Sequence, residues 1–332
     1  MPNSLAEPKN YTIMAIGQKG RLQYEAILLA GSLRLTNPDF KGRLVVCEPQ
    51  PGPLWSQDPV MDPEVRELLQ SLGAEILPFE NKVFGQKYPY GNKIEALSAL
   101  PDEPFLFLDT DTLITGDLGS VGFDFSRPSA SMRREGTWPQ IELYGPGYSE
   151  IWQSLYAKFS LDFETSLDLS QPDEYWQRYL YFNAGWFLHE SPRRFGDRFL
   201  TYAKVILDTP PPELVLQQFD PWLDQIALPL VVHSFSGGRP GPELAGLDGE
   251  VTCHYRTLPL LYARESDRAV EVLEAVAEDK PLRRILRNYP PVKAMVYQNK
   301  GKKARALFDR NDLPRREQVI RNTLRRNDLW LR

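Results

Sequence analysis

The stretch Phe105-Leu106-Phe107-Leu108-Asp109-Thr110-Asp111-Thr112-Leu113 sets four large apolar side chains directly before two carboxylates one residue apart. An apolar run that stops so abruptly predicts a strand buried on both faces, which requires a parallel sheet covered by helices. Its acidic tip then sits at the carboxyl end of the strand, where open α/β sheets gather their ligands. Two hard oxygen ligands at that edge can hold a divalent cation, and the cation in turn a diphosphate.

The flanking sequence supplies the rest of such a sheet. Residues 11–16 read as a first strand, Gly17-Gln18-Lys19-Gly20 as its exit turn, and 24–35 as a helix. A second strand at 44–47 is followed by a proline-rich loop over 49–59. Asp62 then reads as an N-cap with Pro63 at the first helical position, and Gly73 closes that helix. Residues 75–78 make a third strand and 92–100 a short helix. This alternation predicts an α/β fold with a doubly wound, mostly parallel central sheet. Beyond the acidic tip the pattern loosens: a short apolar piece at 129–132, a helix at 149–159, a buried strand at 179–188 interrupted by Asn183-Ala184-Gly185, and an amphipathic helix at 193–207. Residues 221–228 read as helical, 229–233 as strand-like, and 236–249, with five glycines and two prolines, as a loop able to act as a flexible lid. A last core strand is expected at 251–255, helices at 265–277 and 314–326, and no internal repeat.

Charge divides the chain. From Lys280 onward there are sixteen Lys and Arg against four Asp and Glu, while the whole molecule carries -5, so everything before Lys280 is strongly acidic. The sequence therefore divides into a domain at 1–279, with a nucleotide-binding half at about 1–120 and an acceptor-side half at about 121–279, and a basic helical extension at 280–332. A basic extension can approach anionic lipid headgroups, so a peripheral contact at the inner face of a membrane is one expectation and a solvated helix face the other; no nucleic-acid partner is expected. No run reaches the roughly 18 apolar residues of a membrane span, and residues 1–10 lack the apolar core of a signal peptide, which points to the cytoplasm. Cys47 and Cys253 each stand among apolar strand residues and read as core thiols. No dehydrogenase, P-loop or zinc-protease motif is present.

Four motifs in order, between about 11 and 255, resemble the retaining glycosyltransferases of family eight, the group that includes glycogenin and bacterial lipopolysaccharide galactosyltransferases. Leu108-Asp109-Thr110-Asp111 resembles the family's metal-binding DxD signature. Phe182-Asn183-Ala184-Gly185 is similar to its Phe-Asn-Ala/Ser-Gly segment, which contacts the donor sugar. Asp224-Gln225 stands where the family has an Asp-Gln pair beside the anomeric centre, and His254-Tyr255 resembles the histidine that completes the metal shell. Lys93, on the helix before the metal strand, occupies the family's basic position.

The resemblance implies a GT-A fold and a metal-dependent transfer of a sugar from a nucleoside-diphosphate sugar, by likeness a UDP-sugar, to a carbohydrate or glycolipid acceptor. It implies Asp109, Asp111 and His254 as metal ligands, Asp224 and Gln225 at the catalytic centre, and Lys93, Asn183, Ala184, Gly185, Tyr24 and Arg256 as substrate-binding residues. Carboxylates suit Mg²⁺ or Mn²⁺, and an imidazole tilts the choice to Mn²⁺. Gln225 is uncharged and a poor nucleophile, so retention would follow from acceptor attack on the face of departure, with the diphosphate helping to take the proton. One departure stands out: the family continues after the histidine with Gly and then Lys-Pro-Trp, whereas here the chain reads Arg256-Thr257-Leu258-Pro259. If the strand continues, Arg256 lies on the face of His254 and stands in for that lysine. Two alternatives remain. Gly17-Gln18-Lys19-Gly20-Arg21-Leu22 bears a faint likeness to the Gly-x-Gly-Thr-Arg-Leu turn of sugar nucleotidyltransferases, and the missing lysine motif suits a non-catalytic sugar-nucleotide-binding member of the fold.

Overall fold

The computed structural model describes residues 10–133 and 136–331; residues 1–9, which include most of the segment read for a signal peptide, lie outside it. The first half alternates as expected: β1 (Thr12–Ile16), α1 (Arg21–Thr36), β2 (Arg43–Pro49), α2 (Pro63–Ser71), β3 (Ala74–Phe79), the single turn α3 (Asn92–Glu95) and β4 (Phe105–Leu108). After β4 come β5 (Thr112–Ile114), β6 (Ser129–Ser131), α4 (Tyr148–Lys158), β7 (Asn183–His189), α5 (Pro192–Asp208), α6 (Leu223–Ser234) and β8 (Thr252–His254). The chain ends in helices: α7 (Leu258–Arg264), α8 (Asp267–Glu278), α9 (Lys280–Leu286), α10 (Pro290–Val292), α11 (Lys300–Ala306) and α12 (Glu317–Arg326).

Six strands form one sheet in the order β3-β2-β1-β4-β7-β6. β1 to β4 are mutually parallel, and β7 and β6 close the far edge antiparallel. Every residue of β4 is buried, and one core lies on each side of the sheet. Covered on both faces, such strands need no polar alternation, which is why Phe105-Leu106-Phe107-Leu108 reads as a continuous apolar run. Both cysteines are buried and free.

Five local expectations are corrected. The opening stretch is two strands, because the chain bends at Asp109-Thr110-Asp111 and β5 leaves the central sheet. β8 is buried in the core as expected, with Thr252 and Cys253 inside, but it lies outside the central sheet and pairs with β5 in a separate two-stranded ribbon. Asp62 precedes α2 as expected but makes no capping bond, since its carboxylate accepts from Gln23 Nε2 at 2.8 Å. Residues 229–233 are helical and lie inside α6, which is buried along Ile226 to Val232; a helix buried all round carries no amphipathic period and reads like a strand. The expected lid contains a 3₁₀ segment, Pro242–Asp248, with Leu244 and Leu247 buried and Asp248 accepting from Ser131 Oγ and Trp186 Nε1, so the central sheet holds it down.

The basic extension is helical and packs back on the fold. Leu282, Ile285, Leu286, Val292, Ile320, Leu324 and Leu329 share a core with α1. No helix among the described residues is long and apolar enough to cross a membrane.

Candidate active site

The bend between β4 and β5 builds the centre. Asp109 N–H donates to the Gly185 carbonyl at 2.8 Å, Thr110 Oγ1 to the Ile16 carbonyl at 2.6 Å, and Tyr255 N–H to the Asp111 carbonyl at 3.0 Å. These bonds fasten the bend to β7, to β1 and to the residue after β8. His254 is brought in by register, opposite Thr112 in the ribbon.

Each aspartate is then divided between two neighbours. Asp109 Oδ1 meets the Lys93 ammonium at 2.8 Å, and its Oδ2 lies 3.7 Å from His254 Nε2. Asp111 Oδ2 meets Arg21 at 3.3 Å, and its Oδ1 lies 3.1 Å from the same imidazole nitrogen. One oxygen of each carboxylate is thus held by a cation while the other turns toward His254. One ligand atom from each of the three residues lies within 4.8 Å of the others, and two oxygens with one nitrogen are a donor set that suits a divalent ion of the Mn²⁺ type.

Electrostatics follow the geometry. Burial alone would raise the Asp111 pKa, but His254 and Arg21 hold it well below the usual carboxylate range. Burial would lower that of His254, and Asp111 with Asp109 raises it instead. For Lys93 burial is likewise outweighed by Asp109 and Asp224, which keep it charged.

Lys93 is the hub of the next layer. Besides Asp109 it reaches the Ala184 carbonyl at 3.0 Å and Asp224 Oδ2 at 3.4 Å. Asp224 is buried; its Oδ1 accepts from Tyr88 Oη at 2.8 Å, and burial raises its pKa against the pull of Lys93. Gln225 Oε1 accepts from Tyr181 Oη at 2.9 Å. Pro229 has no N–H to give the Gln225 carbonyl one turn back, so α6 is irregular where it carries this pair. Asn183 Nδ2 donates to the Arg133 carbonyl at 2.9 Å.

These groups open into one cleft of about 1210 Å³, lined by Asp109, Asp111, His254, Lys93, Asn183, Ala184, Asp224 and Gln225. The structure therefore gathers the sequence-derived residues with one exception and two changes of setting. Tyr24 does not line the cleft; it stacks on Tyr289 with ring centroids 5.0 Å apart. Gly185 lies beneath His254. Arg256 does line the cleft, but β8 ends at His254 and Arg256 has φ +63°, so the strand does not carry it onto the face of the histidine. Its guanidinium lies 3.8 Å from Glu317, and burial lowers its pKa to about 10.

Sequence reasoning missed Arg21, which pairs with Asp111 and with Glu25 at 3.1 Å. Its signal was its place at the first position of α1, directly after the exit turn of β1. Tyr88, Tyr90 and Trp222 were also missed, as was the far wall of the cleft, made by Arg315, Arg316, Glu317, Arg321 and Trp330.

The profile of the Rhodobacterales glycosyltransferase domain matches residues 13–236, more than half of the chain. This chain belongs to that family. The matched span runs from β1 to the end of α6 and carries every residue of the centre except His254, Arg256 and the far wall. The match agrees with the resemblance read from the motifs in pointing to a glycosyltransferase, and the sheet has the GT-A-type arrangement expected for one.

Among solved structures, the chain is similar to the glycosyltransferase GlyE of Streptococcus pneumoniae TIGR4 in its apo form, at 15% identity and a TM-score of 0.42, covering 85% of this chain and 63% of that one. It is similar to galactosyltransferase LgtC in complex with donor and acceptor sugar analogs, at 14% identity and a TM-score of 0.45, covering 80% and 95%. It is also similar to the bifunctional glycosyltransferase WbbM, at 14% and 0.46, covering 86% and 52%. The chain thus spans 63% of the length of the GlyE structure. No curated protein matches the sequence.

Proposed function

We propose that this member of the Rhodobacterales glycosyltransferase domain family moves a sugar from a UDP-sugar to a carbohydrate or glycolipid acceptor, with a divalent metal and with retention at the anomeric carbon. The observation that carries the reading is the convergence of Asp109 Oδ2, Asp111 Oδ1 and His254 Nε2 in an open cleft beside Gln225. Asp109, Asp111 and His254 would hold the metal, with Mn²⁺ favoured by the imidazole and Mg²⁺ as the alternative. Bound there, the ion supplies Lewis-acid neutralisation of the leaving nucleoside diphosphate.

The surrounding residues divide the remaining work. The three protons of Lys93 are matched by Asp109, Ala184 and Asp224, so Lys93 positions the metal-side aspartate against α6. Asp224, with both oxygens engaged, fixes the start of that helix rather than attacking. Gln225 presents a neutral amide to the anomeric centre, held by Tyr181. Retention, as the resemblance to family eight implies, would follow from acceptor attack on the face from which the diphosphate departs. Asn183 and Ala184, which line the cleft, face the donor sugar, with Gly185 beneath His254 leaving room for the imidazole. Tyr90, Trp222 and Asp220 line the cleft and offer aromatic faces and a carboxylate to an acceptor ring and its hydroxyls. The site of action is the cytoplasm, with the exposed Lys302, Lys303, Arg325 and Arg326 as the groups for contact with an anionic membrane face.

Calorimetric titration with Mn²⁺ tests the metal assignment. Asp111→Asn removes one ligand charge but keeps the shape of this buried side chain, so it should lose binding and keep its fold. Equal affinity in wild type and variant would refute the site.

A further inference from the structure

Charge accounting in the cleft leaves a demand that the metal site does not meet. A diphosphate brings at least two negative charges, and the charge of a divalent ion is already offset by Asp109 and Asp111. The cations nearest the metal site are committed: Lys93 to Asp109 and Asp224, and Arg21 to Asp111 and Glu25. Arg256 lies 3.8 Å from Glu317, whose single charge it shares with Arg264 and Arg321.

The far wall supplies what is missing. Glu317 opens α12 with its side chain only 7% exposed, and it takes three guanidiniums: Arg264 at 2.5 Å, Arg256 at 3.8 Å, and Arg321. Arg321 also lies over the Trp330 ring, 5.2 Å from its centroid, and both side chains line the cleft. This carboxylate fastens the start of α12 to the residue two beyond His254. Arg315 and Arg316 immediately precede it, line the cleft and are exposed, and among the described residues neither has a side-chain hydrogen bond or an ion pair. Lys87 is the other cleft cation in that condition, but it adjoins Tyr88, the partner of Asp224, and so belongs to the Gln225 side.

We infer that Arg315 and Arg316 receive the donor's diphosphate, with Glu317 as the tether that holds them against the metal side of the cleft. The inference rests on the proposed function. Planar guanidiniums suit phosphate oxygens, which they can bind through paired, charge-assisted hydrogen bonds. The family match ends at residue 236, so these cations come from a part of the chain the matched domain does not contain.

Calorimetry with inorganic pyrophosphate, in the presence of saturating Mn²⁺, tests it on the full chain. Arg315→Ala/Arg316→Ala should bind pyrophosphate about 10- to 100-fold more weakly than wild type, as expected for loss of charge-assisted hydrogen bonds. Arg315→Lys/Arg316→Lys, which keeps the charges, should recover most of the loss, and Mn²⁺ alone should bind all three proteins equally. Unchanged pyrophosphate affinity in the alanine variant would overturn the inference. So would a raised KM for acceptor with pyrophosphate binding intact, which would move the two arginines to the acceptor. Failure of the wild type to bind Mn²⁺ would instead refute the metal reading, and pyrophosphate titrated without metal would still decide the role of the arginines.

Discussion

A Cβ atom at Gly185 would lie 2.3 Å from His254 Nδ1. β7 and the β5–β8 ribbon therefore touch where the metal set forms, and only a glycine on β7 lets the imidazole sit against the strand and turn Nε2 toward both aspartates. Gly185→Ala should displace His254 and weaken Mn²⁺ binding by at least about tenfold, with about 1–3 kcal/mol lost in urea unfolding. Full Mn²⁺ affinity in this variant would show that His254 is not a ligand.

Lys93 stands between two carboxylates, with its side chain 6% exposed and that of Asp224 2% exposed. Lys93→Met leaves buried negative charge uncompensated and should cost about 3–5 kcal/mol of stability. Adding Asp224→Asn should restore part of it, because the neutral amide no longer needs the ammonium. Denaturant unfolding of the single and double variants measures both effects, and a double variant no more stable than Lys93→Met would contradict the coupling.

Metal binding should depend on pH with a defined sign. The pKa of His254 is raised above 6.5 by Asp111 and Asp109 despite burial. In the metal-free protein this raised value contributes stability that is complete below the unfolded pKa and is lost as pH rises through the folded one. Metal takes the neutral imidazole, so Mn²⁺ affinity should rise with pH through the same window by up to about tenfold per unit and then level off. Titrations across this range in buffers of different ionisation enthalpy should also show proton release. A flat profile would contradict the role of His254.

The basic C-terminal segment should behave as part of the fold. Leu324 of α12 is fully buried in the core it shares with α1. Leu324→Ala should cost about 2–5 kcal/mol, and ending the chain at Asp312 should lower the melting temperature further. A melting temperature unchanged by the truncation would mean that α12 contributes nothing to stability.

Much of this site was legible because its parts are local. The carboxylates end a run of four apolar residues, Asn183 and Gly185 break an apolar segment, and His254 lies in a short strand; each is marked by its own neighbours. What the sequence hid depends on residues far apart in the chain. Arg21 meets Asp111 across 90 positions, and Arg264 meets Glu317 across 53. Arg256 was misplaced because a positive φ ends the strand where a run of ordinary residues gave no sign of it. α6 was split in two because Pro229 and a fully apolar surround both imitate a strand boundary. The charge excess after Lys280 was visible, but not that Arg315, Arg316 and Arg321 line the cleft, since buried Ile320 and Leu324 are sparse among polar residues.

The central claim is tested most directly by release of nucleoside diphosphate from a panel of sugar nucleotides in the absence of acceptor. We expect slow release from a UDP-sugar that requires Mn²⁺, stops on chelation, and is lost in Asp111→Asn while the fold persists. Release that survives chelation, or wild-type protein that binds Mn²⁺ with UDP yet turns over no sugar nucleotide in the panel, with or without candidate acceptors, would contradict it.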